Sequence, residues 1–70
     1  MKRSPVKSSN LVSVGYDNES QTLEIEFKGS RVYQYFNVPM SVYVSLMAAS
    51  SAGSFHAENI KDIYRCKQIQ

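Results

Sequence analysis

Thr22 to Lys28 alternates apolar and polar side chains without a break, with Leu23, Ile25 and Phe27 on one side and Thr22, Glu24, Glu26 and Lys28 on the other. Period two predicts a half-buried strand whose acidic face is wet. Leu11 to Tyr16 predicts a second strand, with Val12, Val14 and Tyr16 alternating against Ser13 and Gly15. Between them, Asp17-Asn18-Glu19-Ser20-Gln21 is a polar cluster whose side chains can hydrogen-bond the local backbone, as turns require.

Gly29-Ser30 turns the chain into a third strand, Arg31 to Phe36, and leaves two registers open. A two-residue loop with glycine first sets Lys28 opposite Arg31 and Phe27 opposite Val32, which sends Gln34 into the core beside Ile25. Tyr33 and Tyr35 then share the exposed face with Glu26 and Glu24. A longer or bulged turn exchanges the faces, laying Tyr33 and Tyr35 over Phe27 and Ile25 with Gln34 in water. The second register is favoured, because burying an unpaired amide costs about 1–3 kcal/mol and Lys28 opposite Arg31 is repulsive.

Pro39 suits the first position of a helix, where its missing N–H costs nothing. Val42, Leu46 and Ala49 then recur at helical spacing, widened by Tyr43 and Met47. Gly53 is the natural left-handed terminator of this helix, and Ser54 can cap a shorter helical stretch through Asn59 that carries Phe55 and Ile60 to the core. Along the tail, Ile63, Arg65, Lys67 and Ile69 alternate with Tyr64, Cys66 and Gln68, as in an edge strand guarded by cations. The predicted class is α+β: a three- or four-stranded antiparallel sheet packed by one main helix and a short second one. Residues 1–9, with Val6 the sole apolar residue after Met1, read as a flexible or partly ordered arm, and residues 10–70 as a single domain.

Seventy residues with 43% apolar content make one modest core. Burial in a core of that size supplies roughly 3–5 kcal/mol, a shortfall that a dimer or fusion partner could offset. Cys66 stands alone, so no internal disulfide can form, which fits a reducing compartment. The basic beginning, Met1 to Lys7, lacks the apolar run of a secretory signal, and Val42 to Ala49 falls far short of the ~20 residues that span a bilayer. The expected location is the cytoplasm, with no membrane contact. Net charge is +2, but it is unevenly spread. Lys2, Arg3 and Lys7 meet no acid near the beginning, and Lys61, Arg65 and Lys67 face only Asp62 near the end, while the middle is acidic. If the two ends converge on one face they form a positive patch; if they diverge they are solubilising.

No constellation carries catalysis, so the chain is read as a non-enzyme without metal or cofactor. One histidine and one cysteine are not a ligand set, and His56 reads as a partly exposed structural residue. Cys66 reads as a small packing residue, since Arg65 and Lys67 alternate away from it. Glu24 and Glu26 are neighbours on a strand face, but an open face gives no desolvation to separate their pKa values. Aromatic residues Tyr33, Tyr35, Phe36 and Tyr64 could stack unpaired bases. In one register, however, Glu24 and Glu26 share the tyrosines' face and repel phosphate; in the other the tyrosines are core. The terminal cations are the stronger candidates for binding a nucleic-acid backbone without reading sequence.

Several runs taken in order carry a family likeness: Val6-Lys7-Ser8-Ser9-Asn10 leading into Val14-Gly15-Tyr16-Asp17, Leu23-Glu24-Ile25-Glu26-Phe27, and Gly29. After these come Tyr33-Gln34-Tyr35 with Val38-Pro39, Ser51-Ala52-Gly53-Ser54-Phe55, and Asn59-Ile60-Lys61. Together they resemble the KTSX domain family of small bacterial and phage-associated domains, with Lys7-Ser8-Ser9 the nearest stretch to a literal Lys-Thr-Ser run. The resemblance covers nearly the whole chain and makes 10–70 a KTSX-like domain. It implies stand-alone domains or appendages to larger proteins, some of them lysyl-tRNA synthetase-like, and hence an association with RNA. It supplies no catalytic residue. The expected role is accessory binding of RNA through Lys7, Lys61, Arg65 and Lys67, with Tyr64 as a stacking group. The alternative partner is another protein chain or a second copy, added at the open strand edge from Tyr64 to Ile69.

Overall fold

The computed structural model describes residues 1–70. Five strands, β1 (Ser4–Pro5), β2 (Leu11–Asp17), β3 (Thr22–Phe27), β4 (Arg31–Tyr35) and β5 (Cys66–Gln68), form one antiparallel sheet in the order β1-β2-β3-β4-β5. Helices α1 (Met40–Ala48) and α2 (Ala52–Asn59) lie between β4 and β5 in the chain. The class is α+β, as the sequence indicates, but the sheet has five strands rather than three or four. The extra strand is β1, whose two residues pair with Val14 and Ser13. Such a short segment has no alternation to betray it; backbone pairing alone makes it a strand.

The inner face holds the core. Leu23, Ile25 and Phe27 alternate inward from β3 and meet Leu46, Val38, Ala52 and Ile60 from the helical side. On β2 the register shifts between Leu11 and Ser13, so Leu11 and Val14 are buried while Val12 is exposed. The bulge thus overturns the simple alternation expected for that strand: the extra residue reverses the facing of everything before it. Tyr16 stacks on Tyr43 of α1 with ring centroids 5.1 Å apart and donates a 2.5 Å hydrogen bond from its hydroxyl to the Val38 carbonyl. That contact pins the chain where it enters α1.

The β3–β4 hairpin closes through Lys28-Gly29-Ser30, with Gly29 at φ 91° and Ser30 at φ 62°. Tyr33 and Tyr35 face inward, as in the favoured register, but their partners are Ile25 and Leu23 rather than Phe27 and Ile25. Gln34 is half-buried on the outer face and donates to Glu24 at 2.9 Å instead of pointing into open water.

Pro39 is extended (φ −65°, ψ 152°) and precedes the helix rather than opening it. The main helix ends at Ala48, and Gly53 is not its terminator. Ser51 caps α2 by accepting from the Ser54 amide at 3.2 Å, so Gly53 falls in the first turn of α2 and Ser54 follows the cap. A side chain at Gly53 would contact the Ser8 hydroxyl at 3.5 Å.

The outer face is not wet at its centre. Glu24 is only 4% exposed, because the Arg3 guanidinium pairs with it and Gln34 donates from the other side. Arg3 also donates to the Ser13 hydroxyl at 3.0 Å, so the arm is laid across the sheet by charge-assisted bonds. Close approach needs Gly15: a Cβ there would stand 2.6 Å from the Lys2 carbonyl oxygen and 3.0 Å from the Arg3 Cγ. Gly15→Ala is therefore expected to lift residues 1–3 off the sheet and cost about 1–3 kcal/mol in urea unfolding. Arg3→Ala should also free the arm, read as faster proteolysis at residues 1–3, without a steric clash.

Candidate functional site

The largest concavity lies where the inner face of β4 emerges from under α2 and the residues that follow it. Its volume is about 430 Å³. Phe27, Tyr33, Tyr35 and His56 give it an aromatic lining. Each ring is set edge-on to a neighbour: Phe27 to Tyr33 at 5.7 Å and 83°, Phe27 to His56 at 5.0 Å and 63°, Tyr35 to His56 at 5.6 Å and 73°. Arg31 and Lys61 bring positive charge to the same cleft, and Asp62 and Asn10 bring a carboxylate and an amide.

His56 is buried, 8% exposed, against the expectation of a partly exposed histidine. Its helix position carries it under β4, where Nε2 lies 2.8 Å from the Tyr35 hydroxyl. Burial holds the imidazole pKa below 6.5, and the nearby Lys61 charge acts in the same direction. Burial likewise pushes the Tyr35 phenol up to about 12, helped by Cys66, Tyr33 and Asp62. Both members are neutral at pH 7, which suits a hydrogen bond between aromatic walls. Cys66 is exposed rather than a packing residue; it pairs across the sheet with Tyr35 and borders the cleft.

On the opposite face, burial raises the Glu24 pKa, but hydrogen bonds from Gln34 and Arg3 and the Arg3 charge outweigh it, leaving the net value below 4.5. Glu24 is thus held as a carboxylate by its structural partners, and the Ser13 hydroxyl donates to the neighbouring Glu26 at 2.8 Å. No three His, Cys, Asp or Glu side chains gather closely enough to hold a metal ion.

The cations singled out in the sequence do not form one patch. β1 and β5 are opposite edges of the sheet, separated by four inter-strand steps, roughly 19 Å at about 4.8 Å each. Lys7 follows β1 and borders a second, smaller hollow with Leu46, Met47 and Ser50. Lys61 lines the aromatic cleft, Tyr64 packs partly buried against the core, and Lys67 sits opposite Gln34 on the outer face. Arg65 is exposed, and its carbonyl accepts from the Phe36 amide at 2.9 Å. What holds the four C-terminal residues near one another is chain continuity. The sequence reading missed Arg31, Asn10, Asp62 and His56 as cleft residues; only the inward facing of Tyr33 and Tyr35 pointed to it.

A five-stranded antiparallel meander with two helices inserted before its last strand defines the class of small α+β domain seen here. The KTSC domain model matches residues 7–64, and the chain belongs to that family, the one its motifs resemble. A KTSC domain protein from Yersinia pestis has a similar crystal structure, with a TM-score of 0.96 at 39% identity over 99% of this chain and 97% of the other. An uncharacterized protein of Stutzerimonas stutzeri is 47% identical over 76% of this chain and 75% of its own length. A lysine–tRNA ligase of Nostoc punctiforme is 36% identical over 90% of this chain, a stretch that makes up 11% of the ligase.

The buried Tyr35–His56 pair sets a pH dependence. The unfolded chain takes up a proton near pH 6.5 that the folded imidazole refuses, so stability is full above that pH, falls as pH drops below it, and levels off beneath the folded pKa. Urea midpoints measured from about pH 7 to about pH 5 should show this slope, and His56→Gln should abolish it. Glu24 adds a separate loss that sets in as pH approaches 4.5, where the unfolded carboxyl takes up a proton that the folded one refuses until its lowered pKa is reached. Tyr35→Phe, which strands the imidazole nitrogen, is expected to cost about 1–3 kcal/mol.

Proposed function

We propose that this domain is a non-enzymatic accessory module of the cytoplasm that binds RNA through its C-terminal cations. The observation that carries the reading is that Lys61, Arg65 and Lys67 are exposed and unpaired within one short segment, whereas the ion pairs of the molecule all belong to Arg3. Cations without acid partners are free to displace counterions from a phosphate backbone. Tyr64 stands between Lys61 and Arg65 in the chain, half-buried, and its ring is the stacking group of this reading. The similar stretches in lysine–tRNA ligases of Nostoc and Trichormus, 10–11% of those chains, support the reading because those enzymes are named for tRNA. Lys7, on the far edge of the sheet, is at most a peripheral contact.

A second reading, an adaptor or homodimer formed by strand addition, draws on the unpaired outer edge of β5 and on exposed Ile63 and Ile69 at its flanks. The other edge is less open to such pairing, because Pro5 in β1 has no N–H to offer. Light scattering separates the readings: a dimer whose population is indifferent to salt favours strand addition.

The test of RNA binding is an anisotropy titration with a mixed-sequence single-stranded oligonucleotide at low salt. Micromolar affinity is expected, with a log–log salt slope of roughly −2 for three phosphate contacts. Lys61→Glu with Arg65→Glu should abolish binding, and Lys7→Glu should leave most of it. Absence of binding at low salt overturns the proposal.

A further inference from the structure

From the cleft beneath β4, we infer that the domain carries a subsite for one unpaired nucleotide, the base against Tyr33 and the phosphate on Arg31 and Lys61. As a subsite for RNA it rests on the proposed function; as a site for a free nucleotide it stands by itself.

Size comes first. A cavity of about 430 Å³ lies near the lower end of small-molecule sites, room for a base and its ribose but not for a duplex or a folded peptide. Chemistry narrows the occupant further. Among the aromatic residues of the cleft, Phe27, Tyr35 and His56 are buried, so Tyr33 is the ring with surface to offer. That ring is held on two sides. It packs perpendicular to Phe27, with ring centroids 5.7 Å apart at 83°, and its hydroxyl donates to the Gln68 side chain at 3.1 Å. A stacking ring fixed before the ligand arrives loses little conformational freedom on binding.

The charged groups are arranged for a ligand with two unlike ends. Arg31 and Lys61 supply two cations, and neither is engaged in an ion pair. The Arg31 guanidinium is steadied by a 3.2 Å bond to the Lys28 carbonyl, leaving its other donors for an anion. A bare phosphate would make no use of the ring, and a fatty acid would need an apolar channel where Asn10 and Asp62 stand. Asp62 is a poor neighbour for a phosphate but a good acceptor for a ring amino group, and the Asn10 amide offers both a donor and an acceptor. A planar heterocycle bearing an amino group, joined to a phosphate, satisfies all of these groups at once. Sequence-selective RNA readers use the same combination on unstacked bases.

The experiment uses the full 70-residue chain. Amide NMR titrations with AMP, CMP, GMP and UMP are run beside anisotropy with the single-stranded oligonucleotide. Free nucleotides are expected to shift the amides of Tyr33, His56 and Lys61, with AMP, CMP and GMP ahead of UMP because Asp62 selects an amino group. Arg31→Glu, at an exposed position, should weaken nucleotide binding about tenfold or more. Tyr33→Ala should do the same, while Tyr33→Phe, which keeps the ring and guards against a folding artefact, should leave binding within a few-fold. If the oligonucleotide binds but mononucleotides shift nothing and Arg31→Glu has no effect, the subsite is overturned and the RNA-binding proposal stands. If mononucleotides bind and RNA does not, the subsite stands as a free-nucleotide site and the RNA proposal falls. Silence from both ligands overturns both.

Discussion

The loop Lys28-Gly29-Ser30 decides which way every side chain of β4 points. With Gly29 and Ser30 both at positive φ, the hairpin closes so that Phe27 stands opposite Arg31, and Tyr33 and Tyr35 fall on the inner face. Strand side chains alternate strictly, so a slip of one residue would turn the amide of Gln34 into the core and both phenols out. Two consequences follow from the observed pairing. Tyr35 reaches His56 across the helix layer, and Gln34 reaches Glu24 across the outer face. The cleft inherits its aromatic wall from the same geometry.

Each face of the sheet therefore buries one polar cluster, and the two are solved differently. The inner pair, Tyr35 and His56, is kept neutral by burial and makes one hydrogen bond among aromatic rings. The outer cluster keeps Glu24 ionised and matches it with Arg3. A buried carboxylate without its cation would be strongly destabilising, so residues 1–3 behave as part of the fold. No buried side-chain nitrogen or oxygen is left without a partner. In a domain with so small a core, one stranded polar group would consume a large share of the stability.

The elements with strong periodicity were legible from the residues. β3 alternates cleanly, α1 has its stripe at Val42 and Leu46, and the penalty on Gln34 selected the inward facing of Tyr33 and Tyr35. What stayed hidden depends on contacts rather than pattern. β1 is two residues long, and nothing in Ser4-Pro5 announces a strand until Val14 and Ser13 are beside it. The β2 bulge moves Leu11 into the core with no local marker. Glu24 looks like a solvated carboxylate because its cation lies twenty-one residues away in the chain. Gly53 was misread for a similar reason: it suits a helix end, but Ser51 caps the next helix two residues earlier. The cleft is assembled from the Asn10 loop, three strands, α2 and the segment after it, so no single run of sequence contains it.

Strand order also dictates where positive charge can act. In a meander, the first and last strands are necessarily the two edges, so the basic beginning and the basic end of this chain cannot pool their charge along one edge. Arg3, moreover, is spent on Glu24 and Glu26 and offers little to a ligand. The cations left free beside the aromatic cleft are Arg31 and Lys61, with Arg65 just before β5 and Lys67 on the outer face of that strand. Charge alone would leave these as scattered surface groups. Sharing a cleft with the Tyr33 ring gives them a direction: in the proposed subsite, a phosphate held by Arg31 or Lys61 sets the group attached to it beside an aromatic surface. In the proposed site, recognition is a matter of local geometry, and the rest of the sheet serves to hold that edge in place.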